Sequence, residues 1–189
     1  MPAPPVITTP RLDLRPWRAT DAPALLPILE ANQDHFASWI PRAVSEPVSV
    51  PVLEARLEAR AEDFAADRAW RYAYLLRADD RLLGEVSLFP RDAQGRVALA
   101  DADRFEIGYW LRRDATGQGL ATEAARAMLD LARSLPQGRL VEIRCDPRNA
   151  PSGAVAHRLG FTLDRIETRE GAGTAGALHT HVWLYRRQA

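Results

Sequence analysis

The chain reads as an α/β protein, a mixed α+β sandwich in which one mixed sheet carries helices on both faces. Three observations predict this. The spacing of apolar residues switches repeatedly between two and about 3.6 along the chain, giving the order β-α-α-β-β-β-α-β-α-β-β. Meandering strands come first and β-α-β units follow, so antiparallel and parallel pairs should share the sheet. The 189 residues, 47% of them hydrophobic, suffice for one domain with a real core but not comfortably for two.

The elements follow in order. Residues 1–8 are Pro-containing and read as a loose tail, so that a single domain spans 9–189. Arg11-Leu12-Asp13-Leu14-Arg15 alternates charged and apolar, as a half-buried strand does. Thr20 and Asp21 supply helix-start chemistry before Ala24, Leu25, Leu26, Ile28 and Leu29, and Pro27 should kink or tighten that helix. Residues 33–48 look irregular, with His35, Phe36 and Trp39 as either a pocket wall or a plug under a loop. Leu53, Leu57, Ala61 and Phe64 have helical spacing within 50–67. Strands over about 70–77 and 81–89 flank the turn Ala78-Asp79-Asp80, and a polar loop covers 90–103. A strand over 104–111 leads into a helix from about 119 to 134. A further strand, 140–145, and a helix over about 150–159 ending at Gly160 come next. Strands at about 161–168 and 178–187, around a Gly/Ala-rich loop 171–177, complete the chain.

Bulk properties exclude several functions. The 25 basic residues, all Arg, balance 25 acidic ones, so a general nucleic-acid or acidic-membrane partner is not expected. With no Lys, a catalytic or Schiff-base lysine is excluded. Cys145 is the only cysteine, its strand favours a buried position, and no Cys/His cluster suggests a metal site. The start lacks a basic stretch followed by an apolar core, and no apolar run approaches the roughly 18 residues of a membrane span. A cytoplasmic setting is expected.

The most informative segment is Arg112-Arg113-Asp114-Ala115-Thr116-Gly117-Gln118-Gly119-Leu120-Ala121-Thr122-Glu123. It joins the apolar strand 105–111 to a helix N-terminus through a glycine turn. Such a turn aims free backbone N–H groups at one point, where the helix dipole also favours negative charge. A phosphate-bearing ligand is the natural occupant.

Four segments, in order, resemble the GNAT N-acetyltransferases and their RimJ/RimL branch. Gly117-Gln118-Gly119-Leu120-Ala121-Thr122-Glu123-Ala124 resembles their acetyl-CoA pyrophosphate loop. Asn149-Ala150-Pro151-Ser152, with Arg158-Leu159-Gly160-Phe161, is similar to their second CoA-binding segment. The opening Thr9–Trp17 and the run Glu106-Ile107-Gly108-Tyr109-Trp110-Leu111 are similar to the branch's first and central strands. One departure stands out: Thr116 occupies a position where the family pattern has Gln or Arg.

The resemblance implies a mostly antiparallel sheet of about seven strands, splayed at its middle to admit the pantetheine arm. It implies acetyl-CoA as co-substrate, a primary amine as acceptor, no metal, and leaves a homodimer open. The donor-binding residues it implies are Trp110, Leu111, Thr116, Gly117, Gln118, Gly119, Leu120, Ala121, Asn149, Ser152 and Arg158. The acceptor would be a protein N-terminal amine or a small molecule, including an antibiotic. A non-catalytic acyl-CoA-binding module is the alternative from another class.

The chemistry needs a neutral amine, a donor for the oxyanion and a proton for the leaving thiolate. Many GNAT enzymes supply that proton from a Tyr seven residues after the Asn, but here the position is Ala156. Ser152 is the remaining candidate, or else a simple helix cap. Glu106 is the general-base candidate, because a carboxylate in a central strand must face a cleft or find a partner. An arginine salt bridge is its alternative. His179 and His181 share a strand face that would line an acceptor pocket or lie at a surface edge.

Overall fold

The computed structural model describes residues 3–169 and 178–187. Its centre is an eight-stranded sheet in the order β1-β2-β3-β4-β5-β6-β8-β7. These strands are β1 (Ile7–Thr8), β2 (Leu12–Pro16), β3 (Trp70–Leu76), β4 (Arg81–Arg91), β5 (Arg104–Leu111), β6 (Leu140–Cys145), β7 (Thr162–Arg169) and β8 (Leu178–Arg186). Every pair is antiparallel except β5 with β6. The α-helices among the described residues are α1 (Ala22–Ala31), α2 (Gln33–Ala37), α3 (Arg42–Ser45), α4 (Val50–Ala65), α5 (Leu120–Ser134) and α6 (Ala150–Arg158).

Period decides which face each element buries. On α5, Leu120, Ala124, Ala125, Met128, Leu129 and Ala132 form one apolar stripe. It packs on Leu12, Leu14, Tyr72, Tyr74, Val86, Leu88, Phe105 and Ile107, which share one sheet face. The opposite face presents Ala73, Leu82 and Trp110 to Leu25 and Leu29 of α1 and Leu53 and Leu57 of α4. Both faces of the central strands are therefore covered, and β4 is buried from Leu82 to Arg91. At Gly84 a Cβ would lie 2.1 Å from the Trp110 carbonyl oxygen, so only glycine permits this approach of β4 to β5.

Three expectations change. Residues 3–8 are not a loose tail: Ile7 and Thr8 pair with Leu14 and Asp13, Ala3 is buried, and the Tyr72 hydroxyl donates to the Pro4 carbonyl at 2.8 Å. This docked segment supplies the eighth strand. The irregular stretch 33–48 contains the short helices α2 and α3. The loop at 90–103 starts two residues later, because β4 pairs with β5 as far as Arg91 with Arg104. The loop 171–177 lies outside the described residues.

Candidate active site

The link from β5 to α5 is a short 3-10 turn, Arg113–Ala115, followed by Thr116–Gly119. Gly117 and Gly119 have φ of +75° and +78°, a region that side chains with a Cβ enter at a cost. This left-handed geometry turns the chain sharply into α5. Among the described residues, none accepts a hydrogen bond from the backbone N–H groups of residues 117–122. Six donors thus crowd the positive end of a 15-residue helix, an arrangement suited to an anion. The Thr116 hydroxyl is already engaged: it donates to the Arg113 carbonyl at 2.7 Å and holds the 3-10 turn. The Gln118 side chain is likewise turned back, donating to the Asp114 carbonyl at 3.0 Å.

β5 and β6 pair only from Phe105–Val141 to Ile107–Ile143, then separate. Among the described residues, the backbone edge of β5 that faces β6 has no strand partner beyond Ile107. Beside this gap lies a cavity of about 880 Å³. Its walls include Tyr109, Trp110 and Leu111 of β5, Thr116, Gly117, Gly119, Leu120 and Ala121 of the turn, and Asn149, Ser152 and Arg158 around α6. Of the expected donor-binding residues, Gln118 alone is missing from that lining. A fourth wall comes from α2 and the residues after it: His35, Phe36, Trp39 and Ile40. Phe36 meets the Trp110 ring edge-on with centroids 5.2 Å apart, so it serves core and cavity together. Burial, and Arg113 nearby, push His35 below the usual histidine range, leaving it uncharged at neutral pH.

Asn149 caps α6, its side-chain oxygen accepting from the Ser152 backbone N–H at 3.2 Å. The Ser152 hydroxyl is therefore free of capping, and it lies 2.9 Å from the Tyr109 hydroxyl. Burial pushes the Tyr109 phenol well above the usual tyrosine range, and the Ser152 contact lowers it only in part. Tyr109 stays protonated at neutral pH. The sequence alone assigns Tyr109 no role: alternation puts it on one strand face with Ile107 and Leu111, and only the structure brings that face against Ser152 of α6.

Glu106 is placed differently from a cleft base. Its carboxylate pairs with Arg91 through one oxygen and with Arg96 at 3.3 Å through the other, and it does not line the cavity. The salt-bridge alternative describes it. Position in the sheet explains this: Glu106 stands beside Glu142, which is buried and reached by Arg104, Arg144 and Arg165 at 3.1–3.2 Å. Two neighbouring carboxylates in a buried sheet require cations. His181 and Cys145 line a smaller cavity of about 320 Å³ beside α6, while His179 meets the Thr168 hydroxyl at an exposed edge. Cys145 is half-buried rather than buried.

The chain has relatives among known proteins. A family model described as an acetyltransferase (GNAT) domain matches residues 11–162. The chain belongs to the GNAT acetyltransferase family. Over 153 residues it is 30% identical to "Probable N-acetyltransferase YjcK" of Bacillus subtilis (strain 168), covering 81% of each chain. Two solved structures share the fold. One is RimL, a ribosomal L7/L12 alpha-N-protein acetyltransferase in complex with CoA. Its TM-score is 0.78 at 21% identity, over 96% of this chain and 97% of that one. The other is the microcin C7 self-immunity acetyltransferase MccE, in complex with acetyl-CoA and AMP. Its TM-score is 0.82 at 19% identity, over 98% of both chains. The protein is thus a GNAT-type N-acetyltransferase.

Proposed function

We propose that this GNAT enzyme acetylates a primary amine, the N-terminal α-amine of a protein, with acetyl-CoA lying along the 880 Å³ cavity. The observation that carries the donor site is the set of unpartnered N–H groups at residues 117–122, opening onto the same cavity as Ser152. The pyrophosphate takes those donors. The pantetheine arm runs into the gap beyond Ile107 and Ile143 and bonds the free edge of β5, as a short strand would. Arg126 and Arg158, both exposed at the cavity wall, offer cations to the outer phosphates.

The thioester then lies between β5 and Ser152. The amine attacks the acetyl carbonyl carbon, and the tetrahedral oxyanion takes a backbone N–H of the β5 edge. Collapse breaks the carbon–sulfur bond, and the departing thiolate receives the Ser152 hydroxyl hydrogen bond. Tyr109 stands behind Ser152, its hydroxyl within hydrogen-bond distance of the Ser152 hydroxyl and of the Ser152 carbonyl. An α-amine has an unperturbed pKa of about 7.7–8.0, so a fraction is neutral at pH 7 and a water in the cleft suffices to take its proton. Glu106, held by two arginines, keeps the sheet together instead.

A protein N-terminus is favoured over a small amine by the RimJ/RimL-like resemblance and by the name of RimL itself. Such a substrate is made in the cytoplasm, where acetyl-CoA is also found. An acceptor screen tests this. Thiol release from acetyl-CoA is followed with N-terminal peptides and with small amines, including amine antibiotics. Faster turnover of the peptides is expected. Turnover of small amines alone would refute the α-amine reading, and no acceptor-dependent release at all would refute transfer to amines.

A further inference from the structure

The segment Thr9-Pro10-Arg11 takes no part in the chemistry above, yet it lies directly against the glycine turn. The Arg11 guanidinium spans two groups more than a hundred residues away. Its Nε donates to Glu123 Oε2 at 2.7 Å and its Nη1 to the Gln118 carbonyl at 2.8 Å. The Arg11 backbone N–H and the Thr9 hydroxyl donate to the other Glu123 oxygen at 2.8 and 2.6 Å. A Cβ built on Gly119 would sit 3.6 Å from Arg11 Nη2, so the guanidinium lies over the outer side of the turn.

Two consequences follow from elementary geometry. In a trans peptide the carbonyl of one residue and the N–H of the next point in opposite directions, and the described chain has no cis bond. Holding the Gln118 carbonyl toward Arg11 therefore turns the Gly119 N–H away from Arg11 and toward the cavity. Second, Glu123 lines the cavity in the first turn of α5. An unpaired carboxylate there would repel phosphate. Burial would raise the Glu123 carboxyl, but hydrogen bonds from Thr9 and Arg11 outweigh burial and hold it below the usual range.

We infer that Arg11 is a positioning residue for the acyl donor: it orients the 118–119 peptide toward the pyrophosphate and neutralises Glu123 beside it. This rests on the reading of residues 117–122 as the pyrophosphate site. Steady-state kinetics with acetyl-CoA and with acetyl-pantetheine, which has no phosphates, tests it on the full chain.

Arg11→Gln should raise the KM for acetyl-CoA about tenfold, the size expected for a lost charge-assisted bond, with kcat little changed. Its kcat/KM for acetyl-pantetheine should stay at the wild-type value. Adding Glu123→Gln should recover part of the loss, because the exposed carboxylate is then gone. An unchanged acetyl-CoA KM, or an equal fall in kcat/KM for both donors, would overturn the inference. Should Arg11→Gln not fold, Arg11→Lys carries the test. Lys keeps a cation near Glu123 but has no fork to span both partners. A raised acetyl-CoA KM with acetyl-pantetheine unaffected supports the role, and a wild-type KM overturns it. A wild-type enzyme that uses both donors equally well would instead show that the phosphates are not held, and would sink the turn assignment itself.

Discussion

The backbone N–H of Ser152 is capped by Asn149, while its hydroxyl lies 2.9 Å from that of Tyr109. Helix capping and thiolate stabilisation are alternatives only if one atom must do both, and here different atoms are engaged. Ser152→Ala should leave the α6 cap intact and lower kcat about a hundredfold, the lower end for a proton donor acting in the transition state. The KM for acetyl-CoA should hardly move. Stopped-flow thiol release at saturating donor reads the difference, and an unchanged kcat would remove Ser152 from the chemistry. Glu106 behaves in the opposite way. Its carboxylate faces Arg91 and Arg96, not the cavity. Glu106→Gln should therefore change kcat by the same factor at every pH between 6 and 9. A deficit that disappears at high pH would restore Glu106 as a base.

At the scale of elements, the turn into α5 was legible in the sequence because its signal is local. Glycines, an apolar strand before and an amphipathic helix after all sit within about thirty residues of one another. The splay of β5 from β6 came only with the family resemblance, since strand pairing leaves no mark in either strand alone. Arg11 was legible as a strand residue but not as a clamp, because its partners Gln118 and Glu123 lie 107 and 112 positions away. Tyr109 was missed for a related reason: its face could be read from alternation, but its meeting with Ser152 depends on where α6 packs. Glu106 could be read as needing a partner without any indication of which. Close approach is equally invisible. Gly84 shows no turn signal, yet a Cβ there would meet the Trp110 carbonyl oxygen at 2.1 Å. Gly84→Ala should force β4 from β5 and destabilise the protein by about 1–3 kcal/mol, the usual cost of overpacking. Urea unfolding measures this, and wild-type stability would show that the strands can part without loss.

Across the whole molecule, one sheet face is held by apolar packing against α5 and the far half of the other by ion pairs. Glu142, 1% exposed in its side chain, has Arg104, Arg144 and Arg165 around it, and Glu167 pairs with Arg144 and Arg165. Those arginines lower the Glu167 carboxyl to about 2. A carboxyl with a depressed folded pKa contributes stability that is fully present above its unfolded value, about 4.3, and lost as pH falls through the folded one. The protein should therefore weaken progressively from about pH 4.5 toward pH 2, and Glu167→Gln should flatten that part of the curve. Urea midpoints taken across the range check both, and parallel curves would remove Glu167 from the acid transition. On the proposed function, the turn at residues 117–122 holds the donor's pyrophosphate. Gly119 sets that turn through its φ of +78°, and an added Cβ would point toward Arg11 rather than into the anion site. Gly119→Val must therefore act by refusing the left-handed backbone, which scatters the six N–H donors. Calorimetric titration with CoA is the direct measurement. Saturable binding to the wild type is expected, with a loss of at least about tenfold in affinity for a correctly folded Gly119→Val, on the scale of the roughly 1–3 kcal/mol strain involved. Equal affinity for both proteins would contradict it.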